Sequence, residues 1–285
     1  MKKRKKMIVL ISIAVVLLLV IVWFCIPYSP LKADFEKDVE VLQTENRLYI
    51  DGEVFTAADF EDFPIAIRKY IENNGYIGKS KMNSVRMEYH DVAFSQGRNG
   101  PNLTIDYTQN DYVGKPARLA LIESSMFGIP FQGYDYYLDG KGGMKGVIAK
   151  LITIFDQTGE DMDRACLATF LAESMFVPTV LLQDYIEFEE ISEYQVKATI
   201  IAYNQTVSGI FTFNENYKMV SFCTNDRAVI GTDGTAEYVP WSAVCGNYRT
   251  GADGINHPTS FQAVWNYQDG DFVYFDGIIS DITYE

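Results

Sequence analysis

The sequence predicts a mainly β protein of α+β type: one large, curved, half-barrel-like antiparallel sheet with an entry helix and a mid-chain covering helix, behind a single N-terminal transmembrane helix. Three observations carry this. Met7 to Ile26 is a run of twenty residues without a charge. From Val85 onward apolar residues recur at period two between Asn-Gly and Asp-Gly pairs, the pattern of antiparallel strands with one buried face. No alternation of strand and helix appears, which disfavours a parallel nucleotide-type sheet.

The apolar run, MIVLISIAVVLLLVIVWFCI, contains Ser12 as its only polar side chain. At roughly 1.5 Å per residue it covers about 30 Å, the hydrocarbon thickness of a bilayer. Lys2, Lys3, Arg4, Lys5 and Lys6 precede it, and no acid occurs before Asp34. By the positive-inside rule, residues 1–6 are a cytoplasmic segment and the remainder lies outside the plasma membrane. A cleaved signal peptide is the rival. The run exceeds a usual signal core, no small-x-small site follows, and Phe24 stands where a lipobox before Cys25 needs a small residue, so an uncleaved signal anchor over 7–26 is expected. Trp23 and Tyr28 suit the interfacial aromatic belt.

Residues 27–55 read as a stalk. Pro27 and Pro30 break the first helix, Leu31, Phe35, Val39 and Leu42 recur at helical spacing, and RLYIDGEVF carries a hairpin signal at Asp51-Gly52. Residues 56–285 form one extracytoplasmic β-rich domain. Its entry helix spans Asp59 to Asn74, with Phe63, Ile67, Tyr70 and Ile71 buried and Gly75 as its stop. Val85, Met87 and Tyr89 then alternate, and the parity shifts to Val92 and Phe94, which predicts a bulge. About ten strands follow in all. One helix, Asp161 to Phe176, interrupts them, with Cys166, Leu167, Phe170, Leu171 and Ser174 on one face and Pro178 as its end.

Charge limits the function classes. The protein of 285 residues has a formal net charge of −14, and past Ile26 the body carries about −19. Phosphate backbones would repel it, so no nucleic-acid partner is expected. Two histidines and four cysteines form no metal-ligand spacing, so neither metal nor cofactor is implied. Neither histidine accompanies a GxSxG elbow. A Cys223–Cys245 bridge is conceivable, but no disulfide framework exists.

The candidate ligand-contacting residues are Tyr134, Tyr136, Phe170, Glu173, Arg227, Trp241, Arg249 and Trp265. Glu173 stands at the rim of the covering helix's apolar stripe. It is either a carboxyl with a raised pKa or half of an ion pair with Arg227 or Arg249, the usual way buried charge is tolerated. Arg227 and Arg249 suit an anionic head group and Trp241 an apolar slot; Trp241 equally suits a plug at one end of the sheet. Tyr134 and Tyr136 share a strand face and suit stacking on a ligand or plain core packing. The glycine-rich DGKGGMKG, from Asp139, lacks phosphate-loop spacing and reads as a hairpin turn.

FEDFPIAIRKYI, FQGYDYYLDGKGGMKG, FLAESMFVPTVLL, the NDR of residues 225–227, PWSAVCGNYR and the closing ISDITYE resemble an uncharacterised bacterial family of anchored or exported proteins, a domain of unknown function. The matching positions include Arg68, Tyr70, Gly133, Gly142, Glu173, Pro178, Asp226, Arg227, Trp241, Tyr248, Arg249 and Trp265. Val177 departs from the family's usual aromatic there. The resemblance covers about Phe60 to Glu285 and implies no activity, cofactor or catalytic residue. The order of elements is more loosely similar to the lipoprotein-carrier fold (LolA/LolB-like), which implies an apolar cavity between sheet and helices.

Three readings follow. The first is a membrane-tethered domain holding an apolar or lipid-like envelope ligand between sheet and helix. The second is an envelope hydrolase using Glu173 or Asp226 with Arg227. The third is a structural scaffold of a membrane complex.

Overall fold

A computed structural model describes the whole chain except Met1, Tyr49, Asp51, Asn99 and residues 232–234. The turns expected at Asp51-Gly52, Asn99-Gly100 and Asp233-Gly234 therefore fall partly outside the described residues. The helices are α1 (Lys2–Cys25), α2 (Pro30–Glu45), α3 (Ile65–Asn73) and α4 (Glu160–Glu173). Before α4 run β1 (Ser84–Ser95), β2 (Asn102–Tyr112), β3 (Ala117–Met126), β4 (Ile129–Leu138), β5 (Lys141–Ile148) and β6 (Ile152–Thr158). After it come β7 (Ile186–Ser192), β8 (Gln195–Ala202), β9 (Gln205–Phe213), β10 (Met219–Thr224), β11 (Ala228–Ile230) and β12 (Ala236–Tyr238). The chain ends with β13 (Trp241–Gly246), β14 (Arg249–Thr250), β15 (Asn256–His257), β16 (Ser260–Tyr267) and β17 (Gly270–Tyr284).

Thirteen strands form one curved antiparallel sheet in the order β6-β5-β4-β3-β2-β1-β17-β16-β13-β10-β9-β8-β7. The pairs β11-β12 and β14-β15 stand apart as two-stranded ribbons. The long β17 closes back on β1, so the two halves of the meander meet along one seam, Val85 opposite Tyr284 through Phe94 opposite Phe275. The expected bulge is present. Register shifts between Tyr89 and Val92, where Asp91 takes φ 54°, and Val92 returns to the core.

α3 and α4 lie on one face of the sheet, over a core that runs from Val85, Met87 and Tyr89 through Phe211, Phe222 and Trp241 to Phe261 and Phe275. α3 is shorter than expected. Thr56 and Asp59 cap a separate 3-10 turn, Ala57–Phe60, and Pro64 then starts the helix, whose Ala66, Ile67, Tyr70 and Ile71 are buried. α4 gives way at Ser174 to a 3-10 turn, Ser174–Phe176, and after Val177 (φ −131°, ψ 77°) Pro178 opens a second, Pro178–Leu182, so 3-10 structure continues past the expected end. Every side chain from Ala165 to Leu181 is buried, not one stripe alone.

The segment expected as a stalk does not stand free. Ser29 caps α2, and Leu31 and Phe35 pack on the opposite face of the sheet against Tyr112, Leu119, Leu121, Tyr134 and Val147. β2 to β4 are thus covered on both faces, and the simple inside-out alternation fails there because a second helix dries the outer side. Val54, expected in a local hairpin, instead bridges Ser80. All four cysteines are free. Cys223 is exposed and Cys245 buried in the core, on opposite faces of neighbouring strands, which rules out the conceivable bridge.

Candidate functional site: the face beneath α4

Where α4 meets the sheet, a group of charged side chains lies inside the apolar core. Arg118 projects from the start of β3 and is buried. Its Nε donates to Glu173 Oε2 at 2.7 Å and its Nη2 to Oε1 at 3.4 Å. Nη1 donates to Asp135 Oδ2 at 2.7 Å, and Nη2 also reaches the Tyr107 hydroxyl and, at 3.4 Å, Gln109 Oε1. Strand parity explains the set: Tyr107, Gln109 and Asp111 alternate along β2, Arg118 faces Asp111, and Asp135 lies on the next strand.

Three carboxyl groups thus surround one guanidinium. Burial alone would lower the pKa of Arg118, but Glu173, Tyr107, Asp135 and Asp111 outweigh it and hold the charge. Among the described residues Asp111 receives only the Gln109 amide, at 2.8 Å, and its Oδ1 has no partner. Burial, then the charge of Glu173, push its carboxyl well above the usual range. Burial also raises Glu173, and Arg118 opposes that rise.

α4 approaches the sheet closely because β5 is glycine-rich. A Cβ at Gly142 would sit 2.6 Å from the Met162 carbonyl oxygen and 2.8 Å from Cys166 Sγ. The Gly142 amide donates to Asp163 Oδ1 at 2.7 Å, and Lys141 Nζ meets the same carboxylate at 2.9 Å. The glycine run is therefore a helix-docking surface as well as a hairpin.

Five of the eight sequence candidates share this face. Phe170 and Glu173 lie on α4, Trp241 and Trp265 lie across the core, and the half-buried Arg227 lies against both tryptophans. Arg227 is held in an aromatic enclosure, 4.4 Å from the ring centre of Trp241 and 5.1 Å from that of Trp265. Its Nη1 donates to the Tyr274 hydroxyl at 2.6 Å, and the same hydroxyl accepts from Trp241 Nε1 at 3.1 Å. Tyr134 and Tyr136 lie on the opposite face: Tyr134 packs edge-on to Phe35 of α2 and donates to Asp38 Oδ2 at 2.7 Å. Arg249 is exposed, beside a separate cleft of about 260 Å³ that also involves His257 and Asp253.

The partner of Glu173 is Arg118, neither of the two arginines expected. The signal for it was a charge at the head of ARLALIE, a strand apolar at both parities; a charged side chain there must be buried on one face or the other. The hydrolase reading needed Glu173 or Asp226 beside Arg227 in an open cleft. Glu173 is committed to Arg118 inside the core, while Asp226 accepts from the Ser208 amide at 2.7 Å and from Arg164 at 3.2 Å.

The model of a family of unknown function, DUF6544, matches residues 53–277, which include every element from α3 through β16 and this whole arrangement. The chain belongs to that family. The expected kinship with an uncharacterised family thus holds. No curated protein matches the chain. Among solved structures it is similar to an outer membrane lipoprotein-sorting protein domain from Vibrio parahaemolyticus, at 10% identity and a TM-score of 0.41 over 78% of this chain and 92% of that one. It is also similar to a DUF1329 family protein from Desulfovibrio piger, at 12% identity and 0.41 over 82% and 94%.

Proposed function

We propose that this DUF6544 member is a membrane-tethered, extracytoplasmic domain that holds an apolar, lipid-like envelope ligand between its sheet and α4. In this reading α1 is an uncleaved anchor with its basic end in the cytoplasm. The contacts between α1 and the body support it: Trp23 Nε1 donates to the Ala149 carbonyl at 3.1 Å, a bond for which a cleaved leader has no use.

The observation that carries the ligand reading is the nature of the α4–sheet interface. It joins a helix buried from Ala165 onward to an apolar sheet face, yet it is fastened by a few polar groups: Glu173 to Arg118 at one end and Asp163 to Gly142 and Lys141 at the other. α4 starts at Gly159, with φ 125°, and leaves through 3-10 turns, so both ends can change direction without breaking regular structure. Here α4 fills the face itself. A ligand would take its place as the helix lifts, covering the aromatic and aliphatic side chains that the helix now covers.

Native mass spectrometry of the full-length protein, extracted from its own membrane, tests this. A co-bound lipid mass, and uptake of a fluorescent fatty acid that increases in Glu173→Gln, are the expected results. A clean apo mass with no uptake by either form would overturn the proposal and leave a domain that serves only as a scaffold.

A further inference from the structure

Two hairpin tips at one end of the sheet carry side chains that the fold does not use. Phe127, between β3 and β4, is fully exposed, and Leu151, between β5 and β6, and Ile152, which opens β6, are 65% and 60% exposed. The tips are neighbours, since the Ala149 amide donates to the Pro130 carbonyl at 2.7 Å. In an ordinary soluble domain such side chains at turn tips would be polar.

The same tip is fastened to the end of α1. Besides the Trp23–Ala149 bond, Lys150 Nζ donates to the carbonyl oxygens of Trp23 at 3.2 Å, Ile26 at 2.5 Å and Tyr28 at 3.4 Å. A lysine thus caps the negative end of the apolar helix, and it is buried in doing so. Trp23 lies in the last turn of α1, the level at which tryptophan marks the membrane–water boundary. Ala149 is therefore held at that level, with Leu151, Ile152 and Phe127 beside it.

Charge and backbone agree with this placement. Residues 124–132 and 146–155 contain no acid, in a chain with 38 acidic residues, and their one ion is Lys150, turned toward α1. Phe127 (φ 54°), Ala149 (φ 54°) and Lys150 (φ 65°) hold a conformation that side chains with a Cβ resist, where turns of this kind favour glycine or asparagine. The strain presents a phenylalanine outward where a polar residue would cost less.

We propose that these two hairpin tips insert into the interfacial layer of the bilayer leaflet from which α1 emerges, giving the domain a second membrane contact and a fixed orientation on the surface. The partner is the lipid bilayer, met through Phe127, Ile129, Leu151, Ile152 and Ile154. The inference rests on α1 being a membrane anchor, and its test separates the two.

The test uses full-length protein in nanodiscs of anionic and zwitterionic phospholipid, with Cys25 and Cys223 replaced by serine and one spin label per sample. Labels go at Phe127→Cys, Leu151→Cys, Val15→Cys within α1, and Lys115→Cys in the β2–β3 turn, at the opposite end of β3 from Phe127. Collision with oxygen, which concentrates in lipid, is compared with collision with a water-soluble nickel chelate. Labels at 127, 151 and 15 should favour oxygen, with the ratio inverted at 115. A lipid-like ratio at 15 together with a water-like ratio at 127 and 151 would overturn the inference while leaving the anchor intact. A water-like ratio at 15 would remove the anchor and the inference together. Dipolar broadening between labels at 127 on neighbouring chains, without preference for oxygen, would assign the tips to self-association and also overturn it.

Discussion

At the residue scale, the chemistry concentrates on Arg118 and the carboxyls around it. A buried arginine with one paired carboxylate roughly balances desolvation against attraction; removing one partner leaves an uncompensated charge that costs about 3–5 kcal/mol. Asp111 differs from Glu173 and Asp135 because it touches no guanidinium nitrogen, and burial with the charge of Glu173 raises its pKa. Its folded pKa lies above its unfolded one, near 3.9 for an ordinary aspartate. Its contribution is thus fully present below that unfolded value and is lost as pH rises toward the folded value, where the unfolded chain binds fewer protons than the native one. The slope is about 1.4 kcal/mol per pH unit for one full proton. Asp111→Asn, measured by urea unfolding from pH 4 to 8, should flatten this decline and gain stability over the natural chain as pH rises. An unchanged pH dependence would mean that the proton resides elsewhere in the cluster. Glu173 was legible from its place on the helix rim; its partner was not, because a contact between β3 and α4 spans 55 residues and no local pattern encodes it.

At the element scale, periodicity located the helices and most strands, and missed which side of the sheet each residue takes. Leu119 and Leu121 were legible as buried, but they pack under α2, while Arg118, Ala120 and Ile122 line the face under α4. An alternating strand announces its two faces without naming their covers. Tyr134 and Tyr136 share a face as their spacing implies, and nothing in that spacing says that the cover of this face is α2. The glycines of β5 were legible as turn residues only, since their closeness to α4 is tertiary. Gly142→Ala tests that closeness. The new methyl would meet the Met162 carbonyl at 2.6 Å, which the backbone of α4 can relieve only by moving away. A loss of about 1–3 kcal/mol is expected, typical of overpacking. Hydrogen exchange should rise through α4 and stay unchanged in α2, which lies on the other face. Equal loosening of both helices would show that α4 does not dock through β5 as an independent element.

At the scale of the whole molecule, the sheet is covered from both sides by segments that precede and interrupt it, and this sets where the folding unit begins. A reading based on composition places the start of the globular body at residue 56, because the acidic, helical stretch before it looks like a spacer. Burial argues for Ser29. That serine is buried, accepts from the Lys32 amide at 3.2 Å, and opens α2, whose Phe35 seals Tyr134 and whose Leu31 joins the same cluster. Asn46 follows as a second tie: its side-chain amide donates to the Lys115 carbonyl at 2.8 Å and its Oδ1 accepts the Lys115 amide at 2.5 Å, holding the β2–β3 turn. A chain beginning at residue 56 would lose these bonds and bare Tyr112, Leu119, Leu121, Tyr134 and Val147, a contiguous apolar surface that drives association. One beginning at Ser29 would lose the apolar helix α1 and keep the cover. Expressed side by side without detergent, the Ser29 form should unfold in one cooperative transition and elute as a discrete species, and the residue-56 form should aggregate or bind a hydrophobic dye in its native state. If both behave alike, α2 adds nothing to the sheet it lies on, and the body is set by its period-two strands alone.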